Sequence, residues 1–592
     1  MIFLQLLIRC ERANPNDHGK VLRVALVVLG LALAPASVSA NATAGDIFLH
    51  VSHGAVASDS AAASAAGLEL LKAGGNAVDA ACAAAMALGV VDPFASGLGG
   101  GGFALVYLAK TGKVVALDFR ETAPMALAAR PGEVRPWTPQ TGLSVGAPGE
   151  PSGLDELVRR FGALSFAHCV APARRLARGF SVSPWLAQQI KDEIERHPTT
   201  GSSLIGKVFS VTAKAAGELR AGDRVARPEL AKTLTRLRRE GIRAFYRGDI
   251  ARAMVAETAA AGGVLSLDDL AHYTPVERTP LETRFLGRRV VTMPPPSAGG
   301  VILIEALAIF SQRIADVRSA GLQPDGAQMS PVYFHLVAEA LKHGFADRAR
   351  YLGDPDFVHV PLERLLDPTY HHELARRLQL DHVLAHDAYG TPSPHPTEPA
   401  RDGGTAHISV VDREGNAVAL TTTINLEFGA RLVAGSTGIV LNDEMDDFTP
   451  AGDQPDVFSL AGSDANRAAP GKRPVSSMSP TLVLGDKGVE VVAGAAGGPR
   501  IVSATLQILL DVLALGLDAG QAVAAPRIHH QWDPDLLLYE PGVPAEVLHA
   551  LEKIGHITKL RPDIGKANLI LRSPDGLDAA ADARSGGAPA GY

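Results

Sequence analysis

The sequence predicts an α/β protein of stacked layers, and three observations carry that expectation. Helical patterns dominate to about residue 270 and return at 331, strand patterns dominate after 404, and a polar stretch rich in proline and glycine, about 380–404, divides them. Strands with helices on both sides in the chain must bury their faces against neighbouring layers.

The elements follow in order. Lys20 and Arg23 precede the apolar run VALVVLGLALA, and Val38 and Ala40 then stand at −3 and −1 of a secretory cleavage site. Residues 1–40 therefore read as a signal peptide, or as an N-terminal membrane anchor if uncleaved, with a mature chain starting near Asn41 and an exported, periplasmic or extracellular protein. Residues 60–90 hold two alanine-rich helices split at Gly74-Gly75-Asn76, a C-cap and turn signal. PVYFHLVAEALKHGFADRARYL, from 331, has apolar residues at helical spacing and stops before Gly353-Asp354-Pro355. After 404, AHISVVD, AVALTTTIN, GIVLN, PTLVLGD and VEVVAGAAGG read as strands, and IVSATLQILLDVLALGL reads as a helix.

With 592 residues, 46% of them hydrophobic, the chain can bury a large core. A formal charge of -7 with acids and bases intermixed leaves no basic stripe, which argues against a nucleic-acid partner. Three cysteines, of which Cys10 lies in the leader, make no disulfide framework from Cys82 and Cys169.

Several motifs fail on context. Gly97 to Gly102 satisfies G-x-G-x-x-G, but FALVYLA after it is a strand where a dinucleotide fingerprint needs a helix. Gly142-Leu143-Ser144-Val145-Gly146 matches the nucleophile elbow, yet Ala147-Pro148-Gly149 follows, so it reads as a loop. His382 and His386 are spaced like zinc ligands without the glutamate of H-E-x-x-H, and read as a solvated helix face.

The segment from Thr405 to Asn425 is different. A three-residue loop Arg413-Glu414-Gly415 fits a type I turn closed by a left-handed glycine. That register sets Ile408 against Leu420 and Val410 against Val418 on an apolar face of a half-buried hairpin, with His407 against Thr421 and Thr405 against Thr423 on the other. A cross-strand threonine pair is by itself an ordinary feature of sheets. The alternative is that the bond between Gly404 and Thr405 breaks. Thr405 then gains an α-amine of pKa near ~8, able to act as base for its own hydroxyl.

These residues resemble the γ-glutamyltransferase family of the N-terminal-nucleophile hydrolases. The likeness runs from about His53 to Tyr592 through LKAGGNAVDAA, GLGGGGFALV, LDFRETAP, TMPPPSAGG, ARYLGDPDF, TAHISVVD, TTTIN, LNDEMDDF, KRPVSSMSPT, GAAGGPRI and GGAPAGY, in the family's order. It implies a four-layer αββα fold and a precursor that cuts itself before Thr405. The products would be a large subunit, 41–404, and a small one, 405–592. It implies glutathione and other γ-glutamyl compounds as donors, water, amino acids or peptides as acceptors, and no metal or organic cofactor.

Residue by residue, the resemblance makes Thr405 the nucleophile, Thr423 its helper, and Asn425 a polar contact near the substrate α-amino group. Glu444 and Asp447, three apart and on one face if LNDEMDDF turns helically, would hold that ammonium; otherwise they are an acidic helix start. Arg120 matches the arginine that grips the α-carboxylate, helped by Ser476 and Ser477; otherwise it is a surface residue paired to Asp118 and Glu121, and the serines a turn. Gly497 and Gly498 match the oxyanion donors and are otherwise a glycine turn. PDVFSLAGSDANRAAPGKRP resembles the family's lid loop, with Phe458 where many members have tyrosine. Gly404 and Asp92 also depart from common family residues. Two other readings stand beside this one. A glutaryl or cephalosporin-type acylase would have no use for Glu444 and Asp447, and a non-catalytic exported γ-glutamyl-binding protein would not need Thr405 and Thr423 together.

Overall fold

Two seven-stranded antiparallel sheets lie face to face with helices on both outer surfaces in the computed structural model, which describes residues 47–129, 140–319, 329–394, 403–450 and 454–592. The leader with its cleavage signature, and residues 395–402 of the polar linker, lie outside the described residues. The described residues fall within one compact unit, Ala44–Tyr592. The expected αββα layering is present.

The first sheet is centred on Ala55–Ser58, Gly404–Val411, Ala417–Asn425 and Gly101–Leu108, in that spatial order. Its partner is centred on Gly576–Ala581, Lys566–Ser573, Gly488–Ala496 and Thr481–Gly485. Helices Ala61–Lys72 and Ala77–Val91 cover the first sheet; Gly299–Ser319, Pro331–Tyr351 and Arg500–Leu513 cover the second. Gly74, at φ 91, follows the end of the first alanine-rich helix. Asn76, expected as part of the turn, also starts the next helix: its side chain accepts from Val78 and Asp79 N–H in a reciprocal capping box.

The hairpin register is as expected, with Thr405 opposite Thr423, His407 opposite Thr421 and Ile408 opposite Leu420. Gly415 closes the turn at φ 84, its N–H donating to Asp412 O at 3.0 Å. The half-buried expectation is corrected, because both faces are buried. The polar face lies between the two sheets, where its groups satisfy one another: His407 Nδ1 meets Thr421 Oγ1 at 2.8 Å, and Ser409 Oγ donates to Asn568 O at 3.1 Å. Burial depresses the His407 pKa to about 3, so the ring is neutral. Gly494 across the gap makes room, since a Cβ there would lie 2.3 Å from His407 Cε1.

Two other expectations change. GIVLN is no regular strand but half of an irregular hairpin with a single bridge, Val433 to Val440, because the 3₁₀ turn Gly435–Thr437 and left-handed Gly438 break the ladder. His382 and His386 share no helix face. The chain there is irregular up to a short 3₁₀ turn, His386–Ala388; His382 pairs with exposed Asp381, and His386 packs on Trp532.

Candidate active site

The open end of the hairpin carries an unusual set of contacts. Thr423 Oγ1 lies 3.0 Å from Thr405 Oγ1, 2.8 Å from Gly404 O and 2.9 Å from Asn425 N. The single Thr423 hydrogen must go to the Gly404 carbonyl, which only accepts, while the Asn425 N–H donates to Thr423. The Thr405 hydroxyl is thereby left to donate to Thr423. Protons thus point in one direction, from the Thr405 hydroxyl through Thr423 to the carbonyl of the peptide bond that precedes Thr405.

Backbone geometry makes this arrangement. The register slips between Gly404 and Thr405, a bulge that bends the strand where the two hydroxyls meet. A Cβ at Gly404 would sit 2.3 Å from Phe94 O and 2.6 Å from Leu426 O, so only glycine fits this seat in the uncut chain. Asn425 is left-handed at φ 75, a conformation asparagine tolerates, and its Nδ2 donates to Asp443 O at 3.1 Å.

One narrow cleft, about 20 Å³, is lined by Thr405, Thr423, Asn425, Arg120, Glu444, Asp447, Phe458, Ser476, Ser477 and Gly498. The sequence-derived residues therefore converge, apart from Gly404 and Gly497, which stand directly behind Thr405 and Gly498. Arg120 is not the surface residue its neighbours suggested. It is buried, its two Nη atoms donate to Glu444 and Asp447, and its Nε donates to Pro474 O at 3.3 Å. Asp118 instead pairs with Arg278 and Arg473.

Three carboxylates surround that one guanidinium, Glu121 being the third at 4.0 Å. Burial pushes Glu444 up to about 8 against the pull of Arg120, and Asp447 is raised for the same reason. Burial and the neighbouring Glu444 push Glu121 well above the carboxylate range. Glu444 Oε2 and Asp447 Oδ1 are buried without a hydrogen-bond donor among the described residues. Two orphaned acceptors beside a surplus of acid suit a ligand ammonium group. The acids share a face because Glu444–Asp447 is a 3₁₀ turn. Ser476 Oγ accepts from Met478 N–H at 3.1 Å, which leaves its own hydrogen to donate.

Gly497 and Gly498, at φ 127 and 57, link strand Gly488–Ala496 to helix Arg500–Leu513. Their amides sit at the positive end of that helix, a suitable place for a developing oxyanion. Phe458 covers this corner: a Cβ on Gly403 or on Gly498 would come within 2.9 Å of its ring. On its other side Thr405 borders a second, wider cavity of about 730 Å³ that also meets Phe94, Trp185 and Lys566.

Sequence reasoning missed Glu121, Arg348, Asp456 and Asn442. Asn442 donates to Gly99 O at 2.7 Å and Gly146 O at 3.0 Å, and accepts from Gly146 N–H and Glu444 N–H. The two discarded glycine motifs are thus buttresses for the acidic turn. Their only signal was glycine itself: a Cβ on Gly99 would lie 1.9 Å from Val440 O, and one on Gly100 1.9 Å from Thr423 O.

Facing sheets between helical layers, with a threonine at the head of a central strand, define the N-terminal-nucleophile hydrolase class. Similarity to solved structures agrees. The cephalosporin acylase of Bacillus halodurans superposes with a TM-score of 0.80 at 28% identity, covering 95% of this chain and 99% of that one. The Helicobacter pylori γ-glutamyltranspeptidase gives 0.50 at 31% identity, covering 57% of this chain and 96% of that one. In sequence, the γ-glutamyltranspeptidase family pattern matches residues 63–592, and the chain belongs to that family. It is 38% identical over 556 residues to the glutathione hydrolase proenzyme of Escherichia coli K12, covering 91% of this chain and 92% of the relative. It is 40% identical over 567 residues to glutathione hydrolase 2 of Arabidopsis thaliana, covering 91% and 94%.

Proposed function

We propose that this chain is a self-processing γ-glutamyltransferase and glutathione hydrolase. The observation that carries the reading is the hydrogen-bond chain from Thr405 through Thr423 to the Gly404 carbonyl, at the mouth of a cleft rich in buried acid. In processing, Thr405 Oγ1 adds to the Gly404 carbonyl carbon. The C–N bond breaks as Thr405 nitrogen takes a proton, and water then hydrolyses the resulting ester. The products are a large subunit ending at Gly404 and a small one starting with Thr405.

In turnover the freed α-amine takes the hydroxyl proton while Thr405 attacks the γ-glutamyl carbonyl. Gly497 and Gly498 N–H groups stabilise the oxyanion, and Thr423 keeps the nucleophile oriented. Glu444, Asp447 and Asn425 hold the substrate ammonium; Arg120, Ser476 and Ser477 hold its carboxylate. The leaving amine departs through the wide cavity, and water, an amino acid or a peptide enters by the same route. The leader supports an exported protein, and retention of residues 1–40 would tether it to the membrane.

The likeness to a cephalosporin acylase is the one observation that favours a glutaryl substrate. A glutaryl group has no ammonium to relieve Glu444 and Asp447, so the acid turn favours the γ-glutamyl reading. Two measurements test this: N-terminal sequencing of the purified protein, expected to find a chain beginning at Thr405, and hydrolysis of γ-glutamyl against glutaryl anilides. An intact chain, or a preference for the glutaryl compound, would sink the proposal.

A further inference from the structure

Cys82 and Cys169 are the two cysteines that follow the leader, and the fold brings them together. Cys82 sits in helix Ala77–Val91 and Cys169 in helix Phe166–Leu176, both buried in the core that covers the first sheet. Their thiols are in hydrogen-bonding contact. Their separation in the chain gave no sign of this.

Polar bonds set that meeting independently of the sulfurs. At the head of the first helix the Asp79 carboxylate accepts from Ala163 and Leu164 N–H at 2.9 and 3.1 Å, and Asn76 Nδ2 donates to Phe161 O at 2.7 Å. These partners lie just before the second helix, so both helices start from one fixed corner. Cys82 stands about one turn beyond Asp79, and Cys169 lies in the first turn of its own helix. Alanine fills most of the first helix, which lets a neighbouring backbone come as close as a disulfide requires.

Burial pushes the Cys82 thiol well above its ordinary pKa, so in the folded protein it exchanges slowly. A bond between the two has to close while the helices are still docking. We infer that Cys82 and Cys169 form a disulfide as the chain folds outside the reducing interior of the cell, stapling the two helices within the large subunit. The inference rests on the export proposed above and not on the γ-glutamyl chemistry. In the step, one cysteine thiolate attacks the disulfide of an exchange partner, and the second attacks the mixed disulfide that results. The two thiols lose two electrons and two protons, and the partner's disulfide leaves as two thiols. The staple closes a loop of about 90 residues, all of it before the cut. It also steadies the helix that runs into Asp92 and Phe94, which line the wide cavity beside Thr405.

The test starts with protein recovered from the exported fraction, unfolded in urea with iodoacetamide and no reductant, then digested and weighed. A peptide pair joining Cys82 to Cys169 is expected, with neither residue alkylated; alkylation at both positions overturns the inference. A second arm separates this outcome from a failure of export. Chain made without residues 1–40 and kept inside the cell is warmed with cystamine, a disulfide that is no γ-glutamyl compound, so that opening of the helix pair lets the same bond form. Cysteamine adducts on both cysteines without the linked peptide overturn the pairing; the linked peptide supports it even where the leader exports nothing. Heat gives the third reading. Cys82→Ala and Cys169→Ala should each melt roughly 3–5 °C below bonded wild type, and the double variant should fall by much less than the sum of the two. Falls that simply add mean two packed thiols and overturn the staple.

Discussion

The hairpin and the acidic cleft meet at Thr405, yet they are built on opposite principles. The hairpin is local: its threonines are 18 positions apart, and strand alternation with a three-residue turn places them together. The cleft is assembled from afar, with Arg120 and Glu444 separated by 324 positions. The contrast separates the making of the proposed nucleophile, which a short segment can do, from the choice of what it would attack, which needs the whole fold.

Substitutions on the two sides should break this comparison in different ways. The largest effect is expected at Thr405→Ala, which should yield only uncut chain and no turnover; a new N-terminus at position 405 in that variant would move the nucleophile elsewhere. Thr423→Val keeps shape but removes the hydroxyl that orients Thr405 and donates to the Gly404 carbonyl, and should slow both processing and turnover roughly 10²-fold or more, measured by gel and by anilide release. Asp447→Asn should leave processing intact and cost about 1.5–3 kcal/mol in kcat/KM for a γ-glutamyl donor, with a much smaller loss for a glutaryl donor. Equal losses for both donors would mean that the acids do not read the ammonium. Gly404→Ala should slow processing alone, since its methyl meets the Phe94 carbonyl, while cut enzyme turns over normally.

The smallest effect is one of pH. Burial raises the Asp92 pKa to about 8 from an ordinary 3.8, so the native state keeps a proton that the unfolded chain gives up. That contribution to stability is complete below the unfolded value and is lost as pH rises through the folded one. Asp92→Asn stays neutral throughout. Its Tm relative to wild type should climb between pH 6.5 and 9 by on the order of 1–2 °C.

What the sequence made legible follows the same division. Period-two alternation and Gly415 fixed which hydroxyls meet, and Gly353-Asp354-Pro355 marked the end of a long helix. Alternation could not reveal that the polar face of the hairpin meets a second sheet, because His407 and Thr421 satisfy each other and look like exposed polar residues. GIVLN has strand composition, but Gly438 and the preceding turn decide its shape. Arg120 between two acids in LDFRE resembled a surface ion pair; its true partners come from a turn that Asn442 props up, and no local pattern announces a contact across that distance. Arg348, which reaches Asp456 across 108 positions, was invisible for the same reason. Family likeness supplied most of the cleft, and geometry then explained Gly404, which the likeness had left as an oddity.

The strand order has one further consequence. Ala55–Ser58 lies between Gly404–Val411 and Ala588–Gly591, and Gly101–Leu108 pairs with Ala417–Asn425, so strands from before and after the proposed cut are interleaved within a sheet. Separating them would mean unzipping interior ladders, not parting two surfaces. Once cut, the molecule should therefore ignore dilution: its specific activity should stay constant down to concentrations where an ordinary two-chain complex would have come apart.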